Sequence, residues 1–271
     1  MDVSGVGILN PRAGMSSLLH PLASRHRLLM AMASSTDAVP KGSCQGDCVV
    51  AGLLGTAEQW ARFEIEWKGA DAKVGAGRSS MGGTEARRSA GPGDVIDTCR
   101  LLGMGSYVAG EEYARLSPEM QRSLTGGRPA EPCVLSFRHC VLEAAAQTAE
   151  LPPEEKVCFV LDGQDRLSSQ AAWLLEEIKS LEPPPVGERL GALGIEPKQH
   201  FAPLQAAEWL GREMLRLAKK GDDVETRGAV CLRSPLPSRL FFKSFDRQAF
   251  RLLQRDWEEG RLGSSRSFSR L

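Results

Sequence analysis

The sequence predicts an α/β domain, and three observations carry that reading. "KVCFVLDG" (156–163) is apolar on both alternating faces, as a strand covered on both sides must be. "HFAPLQAAEWLGREMLRLAKK" (200–220) places Leu204, Ala207, Leu210, Gly211, Met214 and Leu217 on one arc of a helix. Between and before them, apolar runs of strand length alternate with helical periods, the pattern of helices laid against a sheet.

Taken in order, "CVVAGLLG" (48–55) reads as a strand closing on Gly55. "TAEQWARFEIEWKG" then opens a helix on a Thr56 cap, with Trp60, Phe63 and Trp67 at i, i+3 and i+7. The stretch from Lys68 to Gly93 is so dense in small residues that it predicts a long loop. "DVIDTCRLLGMGSYVAGEEYARL" gives a helix up to Gly103, a short strand over Ser106–Ala109 and a helical start at Glu111. "CVLSFRHCVLEAAAQTAE" sets Val134, Phe137, Val141 and Ala144 at helical spacing and stops at Pro152-Pro153. "SSQAAWLLEEIKSL" (168–181) predicts a helix capped by Ser and ended by Pro183–Pro185. A last helix over 244–260 carries Phe250, Leu253 and Trp257 on one side, and Arg247, Arg251 and Arg255 on another.

Composition narrows the function classes. Among 271 residues, 34 basic and 34 acidic side chains balance, which removes any global pull toward polyanions or membrane surfaces. No apolar stretch approaches the ~20 residues of a bilayer span. The expected protein is soluble and cytoplasmic, without a membrane partner. Seven cysteines, several inside apolar periods, predict packed thiols in a reducing compartment and no disulfides. Residues 1–46 are read as a disordered or mis-assigned leader. Its acid-free segment 12–36 has a composition that transit peptides share, but Pro21 and clustered Ser break any single amphipathic helix. The domain is placed at 47–260 and a frayed tail at 261–271.

Asp162 ends the buried strand, where open α/β sheets expose functional side chains, although turn chemistry before Gly163 explains an Asp equally well. Glu208 lies just past the edge of the apolar arc, where it can face a cleft or pair with Arg212 at i+4. If the helix packs near the end of the Asp162 strand, two carboxylates converge as a Mg²⁺ or Mn²⁺ site for phosphoryl hydrolysis requires. The expected separation is roughly 4 to 8 Å, with Trp209 and Arg212 toward solvent. Weaker signals end sooner. Cys44-x₃-Cys48 lacks a second ligand pair for zinc, and His139 and Cys140 are adjacent on a helix, so one site cannot take both. "GLLG" and "GMG" lack the Lys-Ser/Thr of a phosphate loop. The Arg247, Arg251, Arg255 stripe could follow a nucleic-acid backbone, but Asp246, Asp256 and Glu258 interleave it as on a solvated helix face.

Four stretches, "VVAGLLGTAEQWARFEIEW", "FRHCVLEAA", "KVCFVLDGQD" and "PLQAAEWLGREMLR", in this order resemble the domain of unknown function 3800 family, a mostly bacterial group with a ribonuclease H-like fold. The resemblance spans roughly residues 47–260. It implies a ribonuclease H-like mixed sheet flanked by helices and a nuclease-like hydrolase. Asp162 matches the family's strand acid and Glu208 its helix acid, together binding Mg²⁺ or Mn²⁺. Three departures accompany it. No acid-ended strand precedes Val49 where the family carries Asp-Glu-Ser, the helix acid is Glu rather than Asp, and the loop after Trp67 lacks the family's His. The resemblance therefore implies an incomplete metal site, in a degenerate nuclease or in a non-catalytic module that binds nucleic acid or another partner.

Overall fold

The computed structural model describes residues 28–36, 46–76, 91–125, 131–152, 154–163, 167–182, 184–219 and 236–260, with the side chains of 35, 36, 69–76, 185 and 200 excepted. The strands are β1 (Leu28–Thr36), β2 (Cys48–Thr56), β3 (Leu102–Val108), β4 (Val157–Asp162), β5 (Leu190–Glu196) and β6 (Leu240–Phe245). The helices are α1 (Ala57–Ala76), α2 (Pro92–Thr98), α3 (Gly110–Ala114), α4 (Pro118–Thr125), α5 (Pro132–Gln147), α6 (Ser168–Leu181), α7 (Pro184–Gly187), α8 (Ala202–Lys219) and α9 (Arg247–Glu258). The strands form one sheet in the order β5-β4-β1-β2-β3-β6. The β1–β2 and β2–β3 pairs are antiparallel, and the β1–β4, β4–β5 and β3–β6 pairs are parallel.

Strand β1 corrects the reading of residues 1–46 as lying outside the domain. "LLMAMASST" sits at the centre of the sheet, and Leu28 to Ala33 are all buried. A strand between two neighbours needs apolar or small residues on both faces, and this run supplies them without alternation. Helix α1 also extends into the segment expected to be loop, while 77–90 lies outside the described residues, as do 1–27 and 261–271.

Side-chain alternation divides the core into two layers. Leu29 and Ala31 of β1, Val49, Ala51 and Leu53 of β2, and Cys158 and Val160 of β4 pack against Trp60 and Phe63 of α1 and Leu204, Leu210 and Met214 of α8. The opposite face, with Met30, Met32, Val50, Phe159 and Leu161, is covered by Val134, Phe137 and Val141 of α5 and Leu174, Leu175 and Ile178 of α6. Gly105 of β3 admits α8 closely, since a Cβ there would stand 2.1 Å from the Met214 sulfur. Thr56 begins α1 as expected. Its backbone N–H donates to Gln59 Oε1 at 2.8 Å while the Gln59 N–H donates to Thr56 Oγ1 at 3.3 Å. Ser168 does not cap α6; its hydroxyl donates to the Gly163 carbonyl instead.

Two polar features bind the sheet to its lower helices. The Ser136 hydroxyl on α5 accepts from Val50 N–H at 2.9 Å and donates to the Ser106 carbonyl, joining α5 to β2 and β3. Cys48 and Cys133 form a disulfide with a Cα separation of 5.5 Å, against the expectation of free thiols only. Their 85-residue separation in sequence hid a pairing that the β2–α5 packing creates. The ground for placing the chain in a reducing cytoplasm is thereby removed. Among the described residues, no helix is long and apolar enough to cross a membrane.

His139 and Cys140 do not form a dyad. Cys140 is buried and donates to the Val50 carbonyl at 3.2 Å, while His139 meets the Phe245 ring edge-on. Burial, aided by Lys243, lowers the His139 pKa from 6.5 to about 4. Between those values the unfolded chain binds a proton that the folded chain refuses. Stability is thus whole above pH 6.5 and falls toward pH 4, by about 2–3 kcal/mol from this group. Unfolding midpoints measured across that range should decline in the wild type. They should decline less in His139→Leu; parallel profiles would refute the assignment.

Candidate functional site

Asp162 is the last residue of β4 and is 5% exposed. By alternation it shares the α8 face with Val160, and α8 lies across β1 and β2 beside it. This brings Asp162 and Glu208 together. Lys198 Nζ lies 3.4 Å from Asp162 Oδ2 and 3.3 Å from Glu208 Oε1. Two oxygens that close to one nitrogen cannot be farther apart than twice the longer distance, which is below the upper limit expected. Glu208 makes its ion pair with Lys198, and Arg212 is exposed. Trp209 is a correction: it is half-buried and packs on the α8-side core, because the apolar arc is wider than the six residues assigned to it.

Lys198 was not singled out from the sequence. It stands in the short 3₁₀ turn Lys198–His200 between β5 and α8, ten residues ahead of Glu208. No helical or strand period relates those positions; the turn geometry alone does. Lys198 N–H also points to Asp162 Oδ1, at 3.4 Å. Gln205 of α8 donates through Nε2 to the carbonyls of Lys198 (3.1 Å) and Gln199 (3.3 Å), and its Oε1 accepts from Trp67 Nε1 at 3.4 Å. Helix α1 thus braces the helix that braces the turn. Burial alone would lower the Lys198 pKa, but the hydrogen bond and charge of Glu208, with those of Asp162, outweigh it and raise it. The ammonium therefore stays charged at neutral pH, and its stabilisation is lost only as pH rises past the ordinary lysine range.

What stands on the other side of Asp162 decides what the pair can hold. Met32 is opposite Leu161 in the parallel β1–β4 register, so Ala33 is one step on, beside Asp162 and on the same face. A buried methyl occupies the place where β1 could present an acid. Asp47 is committed elsewhere, accepting from the Tyr107 hydroxyl and from Gly110 N–H at 3.0 Å each. Glu196 faces Asp162 across the β4–β5 ladder, and burial raises its pKa. Among the described residues, no group of three His, Cys, Asp or Glu side chains is placed to hold a metal. Mg²⁺ demands near-octahedral oxygen coordination, and Mn²⁺ favours similar oxygen donors. Two carboxylates that share a lysine do not fit that requirement.

Compared with protein-family models and with curated proteins, the chain matches none.

The arginine stripe is remote from this pair. Arg247, Arg251 and Arg255 are all exposed on α9, and Arg247 Nε lies 4.0 Å from Glu112 Oε1. Helix α9 packs by Phe250 and Leu253 against Phe245, Tyr113 and Leu116 at the β6 edge. Strand β6 is four inter-strand steps from β4, roughly 19 Å at ~4.8 Å per step. Cys44, the other half of the short cysteine spacing, lies outside the described residues, and Cys48 is taken by its disulfide.

Proposed function

We propose that this chain is a ribonuclease H-like domain, akin to the domain of unknown function 3800 family, that keeps a nuclease scaffold without its metal chemistry. The single observation that carries the reading is Ala33 beside Asp162. A phosphodiesterase of this kind needs carboxylates from neighbouring elements to fix Mg²⁺ or Mn²⁺ against the attacking and leaving oxygens. Here Asp162 and Glu208 converge, and the central strand contributes a methyl where a third carboxylate would be required. The four stretches of family resemblance support the ancestry, and the missing acid supports the loss.

The test is a cleavage assay with purified chain, Mn²⁺ or Mg²⁺, and labelled single- and double-stranded DNA and RNA. The expected result is no metal-dependent cleavage, with wild type and Asp162→Ala indistinguishable. Cleavage by the wild type that disappears in Asp162→Ala would overturn the reading and make the chain a nuclease.

A second reading follows from the exposed arginines of α9, which suit a phosphate backbone as a non-catalytic contact. It predicts nucleic-acid affinity that falls with salt, is indifferent to divalent metal and weakens in Arg251→Glu. Equal binding by the wild type and that variant would remove it.

A further inference from the structure

We propose that Lys198 is the resident cation of the Asp162–Glu208 site, a fixed ammonium in the place that a divalent ion would take. The inference rests on the reading above that the carboxylate pair is a relict metal site. It adds that the site has been refilled from within the chain.

Four observations converge on it. The ammonium contacts one oxygen of each carboxylate at nearly equal distance, 3.4 Å and 3.3 Å, which is a bridging position rather than a side pair. The residue is held at two further points, since its N–H points to Asp162 Oδ1 and its carbonyl accepts from Gln205, which Trp67 holds in turn. The lysine side chain is 32% exposed, against 7% for Asp162, so it lies over the buried carboxylate on the solvent side. The neighbouring strand β1 offers the buried Ala33 methyl beside Asp162, and among the described residues no group of three His, Cys, Asp or Glu side chains is placed to hold a metal there. An ammonium donates up to three hydrogen bonds but has no empty orbital for water or phosphate. It can offset carboxylate repulsion without activating a nucleophile. The fold thus acquires a site whose integrity does not depend on divalent cations.

Neutralising the lysine should then expose a latent cation site. Without the ammonium, two converging carboxylates face each other, one of them buried, and a divalent ion is the simplest species to relieve them. Thermal unfolding is measured with and without millimolar Mn²⁺ for the wild type, Lys198→Gln and Lys198→Gln/Glu208→Gln. The wild type should show no Mn²⁺-dependent shift. Lys198→Gln should unfold about 5 °C lower without metal and recover by about 3–5 °C near ten times its dissociation constant. The double variant should lose that recovery.

The failures are distinguishable. A Mn²⁺ response in the wild type that disappears in Glu208→Gln would overturn both this inference and the loss of metal chemistry. No response in Lys198→Gln would overturn the inference alone. Should Lys198→Gln fail to fold, the wild type is labelled with ¹³C-methyl groups on its lysines, and the Lys198 signal is assigned by its absence in Lys198→Arg. That signal is expected to be unmoved by Mg²⁺; a saturable shift would overturn the inference.

Discussion

Glu182→Ala is expected to lower the stability of the domain by about 3–5 kcal/mol. Arg138 Nη2 and Glu182 Oε1 are 3.0 Å apart, with side chains only 4% and 2% exposed. Arg138 belongs to α5 and Glu182 follows the last residue of α6, so the pair ties together the two helices beneath the sheet. An exposed pair would contribute little, because water screens it. Here truncation leaves a guanidinium buried without that carboxylate, and the desolvation already incurred is no longer offset. Chemical denaturation gives the test, with a double replacement by Met at 138 and Leu at 182 as control. The double variant should lie far closer to the wild type than Glu182→Ala does. A loss below about 1 kcal/mol in Glu182→Ala would show that the pair is solvated, as surface pairs are.

Reduction of the Cys48–Cys133 bond should cost a similar amount. The bond closes a loop of 85 residues between the first residue of β2 and the start of α5. Releasing a loop of that length returns about 4–5 kcal/mol of chain entropy to the unfolded state. For a domain of this size the unfolding midpoint falls by about 10–15 °C. Cys99, Cys140 and Cys158 are free and buried, so among the described cysteines a reductant acts at this bond alone. The midpoint should drop on adding reductant to the wild type, and a Cys48→Ala/Cys133→Ala chain should already unfold low and ignore the reductant. A wild-type midpoint that does not move would remove the bond from the account.

These two features mark what the sequence could and could not disclose. Strands β2 and β4 and helices α5, α6 and α8 were legible because burial imposes a period on their residues. Leu204, Leu210 and Met214 face the sheet for the reason that their spacing gives. Strand β1 was hidden by its surroundings, since a composition window over 1–46 averages the six buried residues Leu28 to Ala33 with Gly, Ser and Pro. Strands β5 and β6 were missed because both are edges. "LGALGIE" and "LFFKSF" are half exposed and do not alternate cleanly.

The candidate site divides in the same way. Asp162 and Glu208 could be named because each sits on an element with a period. Lys198 could not, because its reach depends on how the β5–α8 turn is folded. The third acid that the family resemblance implies could be sought only as a motif, which does not occur upstream of Val49. That Ala33 stands beside Asp162 emerged only from the register of β1 on β4. Pairings over long sequence separations, such as Arg138 with Glu182 or Cys48 with Cys133, leave no local trace at all.

Whether Lys198 or a metal occupies the carboxylate pair is decided by a crystal structure of the wild-type chain soaked in Mn²⁺, with anomalous differences collected at the manganese edge. No anomalous peak is expected between Asp162 and Glu208, with the Lys198 ammonium in contact with both carboxylates. A manganese peak bound by those two carboxylates, with Lys198 turned away, would contradict that expectation.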